Sequence, residues 1–303
     1  MPNSRSCTSG PTWWRRFPTC ARWRLPAWHR LLTCATFGTL LAAALGGAQG
    51  RAAGSLVLAT TTSTQDTGLL DALTPRFEKQ TGITVKVVAV GTGQALELGR
   101  RGDADVLLVH APALEEAFVK QGYGMNRRAL MYNDFVIVGP ARDPARLRGM
   151  KHAADAFRAI ARSRAPFASR GDNSGTHLKE LEIWKAAGIK PESPWHLSSG
   201  SGMAATLRLA GEKRAYTLSD RGTFLAQKKN LDLAILCEGD PALFNPYHVI
   251  TVNPKRFPWV NYAAAQRFVR FLFEPATRDL IRTFGKDKFG QRLFHLTAAG
   301  ADL

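Results

Sequence analysis

Ser55-Leu56-Val57-Leu58-Ala59-Thr60-Thr61-Thr62-Ser63-Thr64 runs from a strand-forming segment, Ser55–Ala59, into five consecutive hydroxyl residues. A helical pattern follows over Gly68–Gln80, with Leu69, Leu70, Leu73 and Phe77 on one face and Gly82 as its stop. A strand that turns directly into a helix is the repeating unit of an α/β fold. The next stretches repeat it. Ile83–Val90 reads as a strand, Gln94–Arg101 as a short helix, Val106–His110 as a buried strand and Pro112–Gln121 as a helix. The alternation predicts a parallel sheet flanked by helices.

Phe135–Val138 reads as a further strand, closed by Gly139-Pro140, after which the composition changes. Residues 141–165 are rich in Arg and Ala and read as helix plus loop. Asn173–Ala187 and Met203–Lys213 are helical patterns, Ala215–Leu218 a strand, and Asp220 a helix cap. Val249–Val252 is a strand ended by Asn253-Pro254, and Tyr262–Phe273 and Pro275–Gly285 are amphipathic helices. The strands at 135–138 and 249–252 flank the middle third of the chain. If both cross between lobes, residues 55–138 plus 248–303 form lobe one and residues 139–247 form lobe two. A ligand would then lie in the cleft at the carboxyl ends of the strands.

The first fifty of the 303 residues are of a different kind: six arginines, no lysine and no acid, then an apolar stretch from Leu31 to Leu45 and small residues to Gly50. That order is a secretory signal over residues 1–50, implying a periplasmic location. A stretch of fifteen residues is too short to span a bilayer comfortably. Of the formal net charge of +17, six lie in the leader and +11 remain, a balance that attracts anions. No dense Lys/Arg block follows residue 50, which argues against a nucleic-acid binder. Three of the four cysteines (Cys7, Cys20, Cys34) are in the leader, so Cys237 has no internal disulfide partner in the mature chain.

Two polar runs carry the chemistry. Thr60–Thr64 sits between a strand and a helix, where unpaired amides point outward with partial positive charge. Capping needs one or two hydroxyls; five in a row suit contact with an anion. Ser169-Arg170-Gly171-Asp172-Asn173-Ser174-Gly175-Thr176-His177 repeats the design with a guanidinium added. Asp172 could either brace Arg170 or accept a proton from a protonated anion. Val90-Gly91-Thr92-Gly93-Gln94 and Gly200-Ser201-Gly202 are two more glycine turns before helices, each a weak signal alone.

Signs of catalysis are sparse. There is no Gly-x-Ser-x-Gly elbow, no phosphate loop and no His-Glu-x-x-His. His177, His196, His248 and His295 lack metal-ligand spacing and read as capping, packed or solvated. Asn133-Asp134 reads as a turn, and Cys237 as a buried small residue. The chain is expected to be neither an enzyme nor a holder of metal or cofactor. A secreted phosphate-ester hydrolase is the alternative from another class, and it would need a nucleophile with a base.

Ala59–Ser63, Val88–Ala95, Gly102–His110, Met131–Pro140, Ser169–His177, Ala215–Thr223 and Asn245-Pro246-Tyr247 together resemble the tungstate-binding proteins of ABC uptake transporters. The resemblance covers essentially residues 55–290, in order; the Ser-Arg-Gly-Asp-x-Ser-Gly-Thr run is also similar to phosphate-binding periplasmic proteins. It implies a type II periplasmic-binding fold, two α/β lobes joined by two crossing strands and closing on one oxyanion. By carry-over, Thr61, Thr62 and Ser63 donate from lobe one, and Arg170, Ser174, Gly175 and Thr176 from lobe two; Thr92 is a further candidate. The implied ligand is tungstate or molybdate, the implied partners an ABC permease and its ATPase, and the implied state a monomer. A phosphate- or other oxyanion-binding protein of a related transporter is the neighbouring alternative. Gly200-Ser201-Gly202-Met203 departs from the family's usual Gly-Gln-Gly-Met.

Overall fold

In the computed structural model, residues 54–297 are described; the signal expected over residues 1–50 lies outside them. The strands are β1 (Ser55–Thr61), β2 (Thr84–Val90), β3 (Val106–Val109), β4 (Gly124–Gly139) and β5 (Phe167–Ser169). They continue with β6 (His196–Ser198), β7 (Thr217–Asp220), β8 (Ala234–Cys237), β9 (Phe244–Val252) and β10 (His295–Leu296). The helices are α1 (Thr62–Asp66), α2 (Leu69–Thr81), α3 (Thr92–Arg100), α4 (Pro112–Lys120), α5 (Ala153–Ser163) and α6 (Gly175–Ala187). The rest are α7 (Met203–Lys213), α8 (Arg221–Gln227), α9 (Tyr262–Phe273), α10 (Pro275–Thr283) and α11 (Lys286–Phe289).

Period-two alternation sorts the strand residues onto two faces. Leu56, Leu58, Val106, Leu108 and Val249 pack with Leu70, Phe77 and Phe268 on one side. Ala59, Leu107, Val109, Ile250 and Val252 pack with Leu96 and Phe118 on the other. The same split recurs further along the chain. Phe135 and Ile137 join Phe157, Phe167, Trp184 and Tyr216, while Val136 and Val138 join Met203, Leu207 and Phe224. Both sheet regions are therefore covered on both faces, as near-continuous apolar strands require.

The expectation of a parallel sheet is corrected to a mixed one. Strand order is β10-β4-β9-β3-β1-β2; β1 pairs in parallel with β2 and β3, but β9 is antiparallel to both β3 and β4. Helical crossovers force parallel pairing only between the strands they join. β4 and β9 are joined by everything between residues 139 and 244, so that constraint is lifted.

Both strands also extend beyond the segments read from sequence. β4 pairs with β9 and β10 from Gly124 to Asp134, and from Phe135 onward with β7 and β8. Its first half holds Asn126-Arg127-Arg128, which hides a strand from a hydropathy reading. Tertiary partners resolve this: Arg127 donates to the buried Glu115 carboxylate, and the Arg128 guanidinium lies 3.8 Å over the Phe273 ring. Asn133-Asp134 lies within β4 rather than in a turn, with Asp134 holding Arg221.

Candidate functional site

Four helices begin at one place. α1 starts where β1 ends, with Thr61 as its cap: Thr61 Oγ1 accepts from Thr64 N at 3.2 Å. α6 is capped by Ser174, whose Oγ accepts from His177 N at 3.3 Å. α3 and α7 are entered through Gly91 and Gly202. A Cβ built on Gly175 would stand 3.3 Å from Thr92 Oγ1 and 3.0 Å from the His110 carbonyl; one built on Gly202 would stand 3.6 Å from Thr62 Oγ1. The starts of α1, α3, α6 and α7 thus lie close together, each bringing the positive end of its helix dipole.

The hydroxyls there are unusual. Thr62 Oγ1, Thr92 Oγ1, Ser169 Oγ and Thr176 Oγ1 are all buried and find no partner among the described residues. Buried hydroxyls are normally paired, because leaving one bare costs about 1–3 kcal/mol. They come from three separate stretches of the chain, around residues 62, 92 and 169–176, and the glycine contacts bring Thr62 and Thr92 beside the starts of α7 and α6.

Arg170 supplies the charge and is only 3% exposed. Its Nε donates to Ser201 O at 3.2 Å, its Nη1 to Ser63 Oγ at 3.5 Å, and its Nη2 to Asp172 Oδ2. Asp172 Oδ1 accepts from Ser174 N at 3.2 Å. Both Asp172 oxygens are therefore engaged, and of the two roles open from sequence the carboxylate takes the bracing one. The Gly200-Ser201-Gly202 loop holds Arg170 through the Ser201 carbonyl.

Of the eight residues singled out from sequence, Thr62, Thr92 and Thr176 bring buried hydroxyls with no partner among the described residues. Gly175 brings close backbone approach, while Ser63 and Arg170 meet side chain to side chain. Thr61 and Ser174 are occupied as helix caps. Thr60 lies apart from this set, donating to Leu108 O at 2.8 Å. Three groups went unnoticed as site candidates: Ser169, His110 and Asp220. His110 closes β3 behind Thr61, and nothing in its apolar neighbourhood marks it; only its contact across 49 positions does.

The four histidines weighed from sequence as metal ligands have structural partners: His177 Nδ1 accepts from Asn173 N, His196 meets Glu180, His248 meets Glu115, and His295 stacks on Tyr132. No group of three or more His, Cys, Asp or Glu among the described residues could hold a metal ion. Burial pushes the Cys237 thiol up to about 11, away from a reactive thiolate.

Two buried groups titrate abnormally. Burial lowers His110 to about 4, against a weaker opposing effect of its bond to Asn245. Burial raises Asp220 to about 6, partly offset by bonds from Thr223 and by the Arg170 charge. The unfolded chain binds the His110 proton more readily, so that residue makes stability rise with pH between about 4 and 6.5. The folded chain holds the Asp220 proton more tightly, so that residue makes stability fall with pH between 3.8 and about 6. The two slopes oppose each other. In His110→Gln, thermal midpoints measured from pH 4 to 6 should therefore fall with rising pH relative to wild type. Parallel curves would show that His110 titrates normally.

A family model described as the PBP superfamily domain matches residues 46–276. The chain belongs to this superfamily. It is 47% identical over 283 residues to "Tungstate-binding protein TupA" of Peptoclostridium acidaminophilum, covering 89% of this chain and 99% of that one. Among solved structures it is similar to the tungstate ABC transporter protein of Geobacter sulfurreducens, with 51% identity and a TM-score of 0.71, covering 76% of this chain and 98% of that one. It is likewise similar to the tungstate-binding protein TupA of Desulfovibrio alaskensis G20, at 48% identity and a TM-score of 0.68, covering 80% and 99%. No helix among the described residues is long and apolar enough to cross a membrane.

Proposed function

We propose that this protein is the solute-binding component of an ABC transporter, capturing tungstate and delivering it to a permease. The observation that carries this reading is the set of four buried hydroxyls without a partner among the described residues, two of them beside the starts of α6 and α7, in a chain whose buried Arg170 bridges Ser63 and Ser201. Tungstate carries two negative charges and no proton at neutral pH, so it asks only for donors. Hydroxyls, helix-start amides and a guanidinium are donors, and the Asp172 carboxylate that could repel it is neutralised by Arg170. Molybdate, with the same shape and charge, fits the same donors.

In this reading the donors are Thr61, Thr62, Ser63 and Thr92 from lobe one, and Arg170, Ser174, Gly175 and Thr176 from lobe two, with Ser169 added. The lobes are residues 55–138 plus 248–303 and residues 139–247, and the changeover falls inside the two long strands β4 and β9. Closing the lobes replaces the anion's water with fixed dipoles and turns occupancy into a shape that a permease reads. The protein works as a monomer in the periplasm after loss of residues 1–50, served by the transporter's ATPase, and turns nothing over.

Calorimetric titration of the mature protein with tungstate, molybdate, sulfate and phosphate tests the function. Tungstate and molybdate should bind far more tightly than phosphate. Tight binding of phosphate alone would overturn the reading and point to Asp220, whose buried Oδ2 has no partner among the described residues, as the acceptor a protonated anion needs.

A further inference from the structure

A chain of buried hydrogen bonds runs from the helix-start cluster to the two long strands. Thr61 Oγ1 is 3.1 Å from His110 Nε2, and His110 Nδ1 is 2.9 Å from Asn245 Oδ1. Asn245 Nδ2 donates to Asn133 Oδ1 at 2.6 Å and to the Tyr247 hydroxyl at 3.3 Å. Asn133 belongs to β4, Asn245 and Tyr247 to β9. His110, Asn245, Asn133 and Tyr247 are all buried, and the imidazole stacks on Tyr247 with centroids 4.6 Å apart and planes 20° from parallel.

With the amides oriented this way, the donor and acceptor roles follow in sequence. Asn245 turns its NH₂ to Asn133 and Tyr247, so its oxygen faces His110 as an acceptor. His110 must then carry its proton on Nδ1, leaving a lone pair on Nε2. Thr61 is the partner of that lone pair, so its hydroxyl donates to it. The Thr61 oxygen still accepts from Thr64 N, and lies 2.8 Å from Thr64 Oγ1, which has its own proton to give. No donor remains on the Thr61 side chain.

We infer that His110 is a positioning residue for oxyanion capture: it takes up the Thr61 hydroxyl proton, makes that side chain scaffold rather than ligand, and anchors the Thr62–Ser63 turn to the strands β4 and β9. The inference rests on the oxyanion reading above and reassigns one residue within it. Two backbone contacts support the role. Glu115 Oε1 accepts from Ala111 N at 2.7 Å, fixing the chain just after His110, and the His110 carbonyl lies against Gly175 at the start of α6. The residue thus touches the Thr61 cap, β9 and the opposing helix start, and reaches β4 through Asn245.

The test has two arms. Ring ¹⁵N shifts of histidine-labelled wild-type protein at pH 7 should show a neutral His110 protonated on Nδ1, unchanged on saturation with sodium tungstate. A proton on Nε2 would overturn the inference, and this arm needs no variant to fold. In the second arm, glutamine places its terminal amide near the Nε2 position and asparagine near the Nδ1 position. His110→Gln should keep tungstate affinity within about threefold of wild type, whereas His110→Asn, leaving Thr61 without its acceptor, should lose about ten- to a hundredfold. Equal affinities in the two variants would overturn it. Wild-type protein that ignored tungstate would sink the transport reading, while the ring tautomer would still decide this one.

Discussion

Arg170→Ala is expected to reduce tungstate affinity by about 3–5 kcal/mol, a hundredfold to several thousandfold. Two effects add. The variant loses the one guanidinium in the cluster, and it strips Asp172 of its counter-ion in a position only 17% exposed. An incoming dianion would meet a bare carboxylate where it had met a neutralised pair. Arg170→Lys should restore only part of the loss, because one ammonium cannot serve Ser201 O, Ser63 Oγ and Asp172 at once. Adding Asp172→Asn to Arg170→Ala should recover some affinity by removing the unpaired charge. Calorimetry across the four proteins gives the order; wild-type affinity in Arg170→Ala would show that the site lies elsewhere.

Gly175→Ala should weaken tungstate binding by about 1–3 kcal/mol, roughly five- to a hundredfold, without destabilising the protein. The added methyl would press to 3.0 Å on the His110 carbonyl, 3.3 Å on Thr92 Oγ1 and 3.4 Å on His110 Cε1. Two of those neighbours are a backbone carbonyl and a ring anchored at both nitrogens, so neither yields easily. Gly175 opens α6 with a negative φ, where alanine is the better helix former by about 0.5–1 kcal/mol. The opposite signs make the test sharp. A thermal midpoint at or above wild type, together with weakened tungstate binding, places the strain at the anion site rather than in the fold. Unchanged affinity would mean that helix starts and β3 need not approach this closely to hold the anion.

The apolar periodicity of α2, the Gly82 stop, and both ends of α7 and α9 could be read directly, because those helices lay an unbroken apolar face on a sheet. The full length of β4 and β9 could not. Asn126-Arg127-Arg128 and Asn245 are polar residues inside strands, stable there only because Glu115, Phe273, His110 and Asn133 come from distant parts of the chain. The three-residue strands β5 and β6 are too short for any periodicity to show.

The polar runs at 60–64 and 169–177 name the chemistry of the site on their own, since excess hydroxyls and an arginine at helix starts have few other uses. Which atoms remain to meet an anion is another matter. Thr60, Thr61 and Thr62 are alike in sequence, yet Thr60 binds a neighbouring strand carbonyl, Thr61 faces His110, and only Thr62 keeps a buried hydroxyl with no partner among the described residues. Asp172 is settled the same way, by the guanidinium and amide that claim its two oxygens. The sequence by itself determined the donor inventory and the α/β class, because both follow from residue types and local spacing. Only the tertiary structure decided which donors are already taken, because a hydroxyl has one proton and its partner here lies about fifty positions away.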